Sequence, residues 1–353
     1  MHIVFAVSNV GLGHATRSLP LINAAVKEGN EVSIFGFGNA LALLKKELGD
    51  KAKFQEIQDY DIGYKKLGPS AFDIAIRFPG LLRAISAENA HLQKFSKKKK
   101  VDRVVADGRY GFFLEGVPSY FISNQLRFKY SRPFDIDGRI TEFFNNIQTK
   151  KYTGILIPDY EKNSLGGILD HEPNFFDKKK LHYLGIISGV KKEKVAKDID
   201  VFISISGPGE SRVDFEKKIL ECAPMLNGKV VITLGDPSDT RKEKKGRISI
   251  FPYLSRKDQD LMLNRAKLIV SRSGYTTLME LAEIEQKAFF VPIPRHFEQE
   301  YLAAYHEKLG HFHSNRQDKF DLVNDVKIAK EFKGISGMPK TKESIEKFKQ
   351  IVL

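Results

Sequence analysis

The stretch from Leu268 to Ala304, LIVSRSGYTTLMELAEIEQKAFFVPIPRHFEQEYLAA, admits few folds. Leu268-Ile269-Val270 is a short apolar run, and Ser271-Arg272-Ser273-Gly274 follows as a polar turn. From Tyr275 to Ala282 the spacing predicts a helix, with Leu278, Leu281 and Ala282 on one face. Ala288 to Val291 reads as a second strand, stopped by Pro292 and Pro294. Such a strand–turn–helix unit presents free backbone N–H groups at the start of its helix, which suits an anion. Glu280 lies two helical turns beyond Ser273, on the same face as the turn. A carboxylate there can accept hydrogen bonds from paired sugar hydroxyls while the helix start holds phosphate. The plainer alternative is a structural unit with a solvated Glu.

The chain opens in the same way. Ile3 to Val7 is a buried-type strand, Ser8 to His14 a Gly-rich turn, and a helix follows to about Gly29, with Arg17 and Ser18 in its first turns. Glu31 to Phe35 is the next strand. A dinucleotide-binding turn would need G-x-G-x-x-G and an acid after the second strand. Here Gly11-Leu12-Gly13-His14-Ala15-Thr16 and Phe35-Gly36-Phe37-Gly38 meet neither demand. Further strands are predicted at Val101–Ala106, ending in Asp107, at Pro118–Ser123, ending in Asn124-Gln125, at Gly154–Pro158 and at Leu181–Ile187. A polar linker runs from Ser188 to Asp198. The pattern restarts with Val201–Ile205, the turn Ser206-Gly207-Pro208-Gly209-Glu210-Ser211-Arg212, and a helix. Val230–Gly235 and Arg247–Phe251 are further strands, Asp321–Val326 a small element, and Lys340–Leu353 an amphipathic helix. The fold class expected is α/β: two Rossmann-like, doubly wound domains facing across a cleft, spanning 1–190 and 199–337, with 338–353 crossing back to the first. Ligands in such sheets collect at the C-terminal ends of strands, which makes Asp107, Asn124 and Gln125 candidates to line an acceptor site.

A length of 353 residues suffices for two such cores. One cysteine, Cys222, rules out an internal disulfide framework and suits a reducing compartment. No apolar run approaches the roughly 20 residues that span a bilayer, and MHIVFAVSN reads as a first strand, not a signal peptide. These features predict a cytoplasmic protein. A net charge of +13 suits anionic partners: nucleotide, nucleic acid or an acidic membrane face.

Arg272-Ser273-Gly274, Glu280, Phe290-Val291-Pro292 and Gln299 before Tyr301 resemble the donor-binding segment of MurG-type glycosyltransferases, with Glu300 where that family has a second Gln. Gly11-x-Gly13-His14-x-x-Arg17 resembles the acceptor-side turn of GT-B enzymes, closest to an archaeal set of MurG-like proteins. The resemblance implies an inverting, metal-independent transfer of a sugar from a UDP-sugar, UDP-N-acetylglucosamine, to a hydroxyl acceptor, lipid-linked or in a cell-surface glycan. No cofactor beyond that co-substrate is implied. Glu280 would hold the ribose, and Gln299 and Glu300 would face the sugar. Ser206, Gly207, Gly209 and Ser211, with Arg272, Ser273 and Gly274, would hold the diphosphate. Phe251, Pro252 and Tyr253 would read the base. His14 would take the acceptor proton, or cap its helix or touch a phosphate without moving a proton. Asp107 would orient His14 or act as base in its place, or else be a capping Asp. Gly11, Gly13, Arg17, Asn124 and Gln125 would shape the acceptor side. Tyr60 to Arg83, mixing apolar and basic residues, reads as a membrane-facing patch, as the resemblance implies, or as an ordinary helix.

Three D-x-D pairs (Asp59/Asp61, Asp135/Asp137, Asp198/Asp200) and His311-Phe312-His313 lack the companions of a metal site, so none is expected. Nucleic acid is not an expected partner. The rival readings are a UDP-sugar 2-epimerase on the same fold and a non-enzymatic nucleotide-sugar or membrane-recruitment module.

Overall fold

The computed structural model describes residues 1–60, 71–128, 136–236 and 239–353, without the side chains of 71–78, 136 and 137. These fall into two compact units: Met1–Gly189 with Pro339–Leu353, and Val190–Met338.

The first unit is built on a seven-stranded parallel sheet: β1 His2–Val7, β2 Glu31–Gly36, β3 Lys53–Glu56, β4 Arg103–Asp107, β5 Ser119–Ile122, β6 Gly154–Ile157 and β7 Leu181–Tyr183, in the order β3-β2-β1-β4-β5-β6-β7. Its helices are α1 Gly13–Lys27, α2 Gly38–Leu48, α3 Ala71–Lys98 and α4 Ile136–Thr149. Both faces of β1 are covered, so it reads as an unbroken apolar run. Ile3, Phe5 and Val7 pack with Leu21 and Ile22 of α1 and Leu41 and Leu44 of α2. Val4 and Ala6 face Leu92, Phe112 and Tyr152. The expected strand Leu181–Ile187 stops at Tyr183, because the Leu184 and Gly185 N–H groups turn to the carbonyls of Ile157 and Asp159.

The second unit has its own seven-stranded sheet: β8 Ile199–Ser204, β9 Val230–Thr233, β10 Glu243–Lys245, β11 Ile248–Phe251, β12 Ala266–Ser271, β13 Ala288–Phe290 and β14 His313–Ser314, in the order β10-β11-β9-β8-β12-β13-β14. Only the edge strand β10, not anticipated from sequence, runs antiparallel to its neighbour among the described strands. The helices are α5 Gly209–Cys222, α6 Arg256–Arg265, α7 Tyr275–Ile284, α8 Phe297–Lys308 and α9 Leu322–Ala329. Val201 and Ile203 pack with Phe215, Ile219 and Phe320. The last helix, α10 Thr341–Val352, places Phe348 and Val352 in the core of the first unit. Two doubly wound parallel-sheet units are the fold read from the sequence. In both, the Gly-rich turns follow the C-terminal ends of parallel strands.

Candidate active site

In the first unit, β1 and β4 pair so that Val7 stands beside Asp107. This brings the turn after β1 next to the carboxylate that ends β4. His14, Arg17 and Ser18 follow at i, i+3 and i+4 on α1, one helix face, and all three reach Asp107. His14 Nδ1 lies 2.7 Å from Oδ1. Arg17 Nε donates to Oδ2 at 2.8 Å, and Ser18 Oγ donates to the same atom at 2.8 Å. A second Arg17 nitrogen pairs with Oδ1, and Arg17 Nη1 donates to Asn124 Oδ1 at 2.6 Å. Burial alone would raise the Asp107 carboxyl; the Arg17 guanidinium and the His14 ring reverse this and hold it below the usual carboxylate range. An ionised carboxylate only accepts, so a proton between it and His14 belongs to Nδ1, a nitrogen that also lies 3.0 Å from Arg17 Nη2. Nε2 makes no hydrogen bond among the described residues, and the side chain is 22% exposed.

Asp107 is 1% exposed, and both of its oxygens already hold partners, His14 among them. Gly108, at φ +72°, makes room for the ring: a Cβ there would stand 3.0 Å from His14 Cε1. Gly11 turns the loop at φ +74°, Gly13 opens α1, and the Gln125 side chain, just beyond β5, has no hydrogen-bond partner among the described residues.

Sequence reading missed the support beneath this turn. Asp59 accepts from the Ser8 hydroxyl at 3.3 Å and from the Asn9 N–H. Arg109, fully buried, lies 3.5 Å from Asp59 and donates to Glu88 at 2.6 Å and to the Gln58 carbonyl at 2.7 Å. The first acid of a D-x-D pair is thus a brace for the Gly-rich loop. Its partners are distant in sequence, and no local signal marks them.

In the second unit, α5 and α7 start at the C-terminal ends of neighbouring strands, β8 and β12. Neither N-cap, Pro208 or Gly274, makes a side-chain capping bond. The turn before α5 is set by Gly207 (φ +122°) and Gly209 (φ +49°), and helix starts of this kind are suited to anions. Arg272 was expected at the diphosphate, but its donors are used elsewhere. It donates to the carbonyls of Ser206 (3.2 Å), Ser211 (3.0 Å), Val291 (2.9 Å) and Pro292 (3.3 Å), and its guanidinium lies 4.1 Å over the Phe215 ring. Burial lowers it to about 10, so it stays charged at neutral pH. It ties the turn after β8 and the start of α5 to the segment after β13. Ser273 is also internal: its hydroxyl donates to the Gln299 carbonyl at 2.8 Å, while Ser211 Oγ contacts Gln317 at 3.4 Å.

Gln299 Oε1 accepts from Ile293 N–H at 3.0 Å, and Glu300 accepts from Arg295 N–H at 2.9 Å. Both hold the loop after β13, where Arg295 adopts φ +64°; the Gln299 amide nitrogen has no partner among the described residues. Glu280 is 7% exposed and pairs at 3.0 Å with Arg256 of α6. Burial raises its carboxyl, and Arg256 opposes that. The carbonyls of Phe251 and Pro252 accept from the Leu234 and Asp236 N–H groups, and Tyr253 is 49% exposed.

Residues 202–351 match the Glycosyltransferase family 28 C-terminal domain. An uncharacterized glycosyltransferase of Methanosarcina mazei is 26% identical over 336 residues, covering 88% of this chain and 84% of that protein. One from Methanosarcina acetivorans is 30% identical over 171 residues, 45% of this chain and 42% of its own. The chain is a glycosyltransferase. Its fold is GT-B, as in the solved kitacinnamycin glycotransferase (TM-score 0.64, 16% identity, covering 99% of this chain and 94% of that one) and Acinetobacter baumannii MurG (0.59, 16%, 99% of each).

Other clusters in this glycosyltransferase have structural roles. Asp198 pairs with Arg265 and Lys229, and Asp200 with Lys267. Asp61 and the Asp135/Asp137 pair lie outside the described residues or side chains. His313 sits between Glu307 (2.8 Å) and Asp325 (2.9 Å), and His311 Nδ1 lies 3.0 Å from that of His306. Asp159, Asp170 and His171 have ligand atoms within 4.8 Å of one another. Asp159 accepts from Tyr160, Leu165 and Gly166 N–H groups, and His171 spends both nitrogens on Asp170 and the Tyr160 carbonyl. That trio closes a turn. Among the described residues, no helix is long and apolar enough to cross a membrane.

Proposed function

We propose that this glycosyltransferase is an inverting enzyme that moves N-acetylglucosamine from UDP-N-acetylglucosamine to a hydroxyl of a lipid-linked or cell-surface glycan acceptor, at the cytoplasmic face of a membrane. The observation that carries the donor reading is the pair of uncapped helix starts, α5 and α7, on adjacent strands, drawn together by Arg272. Their N–H groups would stabilise the charge that gathers on the departing diphosphate, the role a divalent ion plays elsewhere. The second Glu280 oxygen would hold the ribose hydroxyls, and the Gln299 amide would reach the sugar. Tyr253 is the exposed ring for the base. The acceptor oxygen forms its bond to the anomeric carbon, the bond from that carbon to the diphosphate breaks with its electron pair leaving on UDP, and the hydroxyl proton passes to His14 Nε2. The free Nε2 on an Asp107-oriented ring supports the base role over a capping one.

The test is calorimetric titration with UDP, UDP-N-acetylglucosamine, ADP, GDP and NAD, with wild type beside Glu280→Gln. Selective UDP binding, weakened roughly tenfold or more in the variant, is expected. Equal binding of all the nucleotides, or none, would overturn the donor assignment.

A further inference from the structure

α4 is built inside out. Its buried residues are polar: Thr141, Glu142, Asn145 and Thr149. Each has partners there. Thr141 Oγ1 accepts from Phe128 N–H at 3.0 Å, and Glu142 accepts from Phe175 N–H at 2.8 Å and pairs with Arg127 at 3.1 Å. Asn145 accepts from the Tyr110 hydroxyl at 2.8 Å and donates to the Leu126 carbonyl at 3.0 Å. Three of its large apolar residues face outward: Ile140 is 49% exposed, Phe143 51% and Ile147 43%, while Phe144 packs its ring 6.0 Å from that of Tyr110. The outward three recur at i, i+3 and i+7, one continuous stripe about 10 Å long. Phe175, 42% exposed, extends the stripe by packing its ring 5.5 Å from that of Phe143. An amphipathic helix of a soluble domain normally turns this stripe inward, and an exposed apolar patch rimmed by polar groups marks an interaction surface.

We propose that this face of α4, with Phe175, is a docking surface for an anionic lipid bilayer. The charge around it selects that occupant. Arg139 and Lys150 stand at the two ends of the stripe and are exposed, as is Lys151. Lys178 and Lys179 follow Phe175 and are brought to the end of α4 by Lys180, whose Nζ donates to the Lys150 carbonyl at 3.0 Å. Arg139, Lys150, Lys178 and Lys179 form no ion pair among the described residues. The exposed acids of the adjoining loop are Glu172 and Asp177. A cationic rim around an apolar stripe suits the boundary between lipid headgroups and acyl chains, about 5–10 Å deep. A second copy of the chain is disfavoured, because a two-fold pairing would set the same cations against each other. The surface is distinct from the 60–83 stretch singled out in the sequence; it rests on the membrane location proposed above, and its test is separate from that of the donor.

The experiment is co-sedimentation of the full chain with vesicles of phosphatidylcholine alone and of phosphatidylcholine mixed with phosphatidylglycerol. The variants are Phe143→Ser/Ile147→Ser and Lys178→Glu/Lys179→Glu, with thermal unfolding as the folding control. Wild type is expected to sediment with the anionic vesicles only, and less in high salt. Each double variant should lose about tenfold or more of that partition while keeping its unfolding midpoint, since the altered side chains point away from the core. Wild type remaining in the supernatant with anionic vesicles, or the Phe143→Ser/Ile147→Ser variant partitioning like wild type, would overturn the proposal. So would a concentration-dependent dimer, lost in that variant, in a protein that binds no vesicles.

Discussion

His14 and Asp107 act as one unit, in which a buried, acceptor-only carboxylate fixes the ring and the ring offers the opposite nitrogen to solvent. Asp107→Asn removes the charge that both His14 and Arg17 rely on. Turnover is expected to fall by roughly 10²–10⁴ with UDP affinity unchanged, which steady-state kinetics beside a UDP titration would show. The variant also leaves the Arg17 guanidinium buried without its counter-charge, a loss of about 3–5 kcal/mol. The Asp107 carboxyl sits lower folded than unfolded, so its contribution is present above about pH 4. It is lost as pH falls through the depressed folded value. Glu88, raised by burial, works in the opposite sense: its contribution is present at low pH and lost as pH rises through the raised value. Urea midpoints of wild type and Asp107→Asn across pH isolate the Asp107 part. Their difference should shrink toward acid; a difference constant with pH would refute this account.

Among the elements, the turns after β8 and β13 are held by a side chain that neither contains. Arg272 accounts for carbonyls from the turns after β8 and β13. Lysine keeps the charge but is a point donor and cannot span the same carbonyls. Arg272→Lys is therefore expected to destabilise the second unit by about 2–4 kcal/mol and to weaken UDP by about tenfold. Denaturant unfolding and UDP calorimetry measure the two effects. Wild-type behaviour in both would mean that the carbonyls are held by the turns alone.

At the level of the whole molecule, the last helix completes the first core even though the second unit precedes it in the chain. Phe348 is fully buried against Phe5, their rings 6.5 Å apart, and the Tyr120 hydroxyl donates to the Ile351 carbonyl at 2.8 Å. Phe348→Ala should cost about 3–5 kcal/mol and lower the transition of the first unit alone. Scanning calorimetry with and without UDP identifies the other transition, because a ligand raises only the unit that binds it. A shift of both transitions together would show that the units unfold as one.

The sequence by itself determined the doubly wound strands, the Gly-rich turns, the helix starts and the outer elements of the site, because each of these is a local pattern: a short apolar run, a glycine where φ must be positive, a 3.6-residue stripe. His14 and Arg17 were legible for the same reason, lying in one turn of one helix. Only the tertiary structure decided what these groups hold. Asp107 meets His14 across 93 positions, in a register set by β1 pairing with β4. Arg272, Ser273 and Gln299 carry the resemblance to the donor segment, yet folding turns most of their polar atoms onto backbone, a preference no spacing encodes. The stripe of Ile140, Phe143 and Ile147 is the clearest case. Its period is the same whether the helix shows that face to a core or to solvent, and the buried partners of Glu142 and Asn145 are what turn it outward.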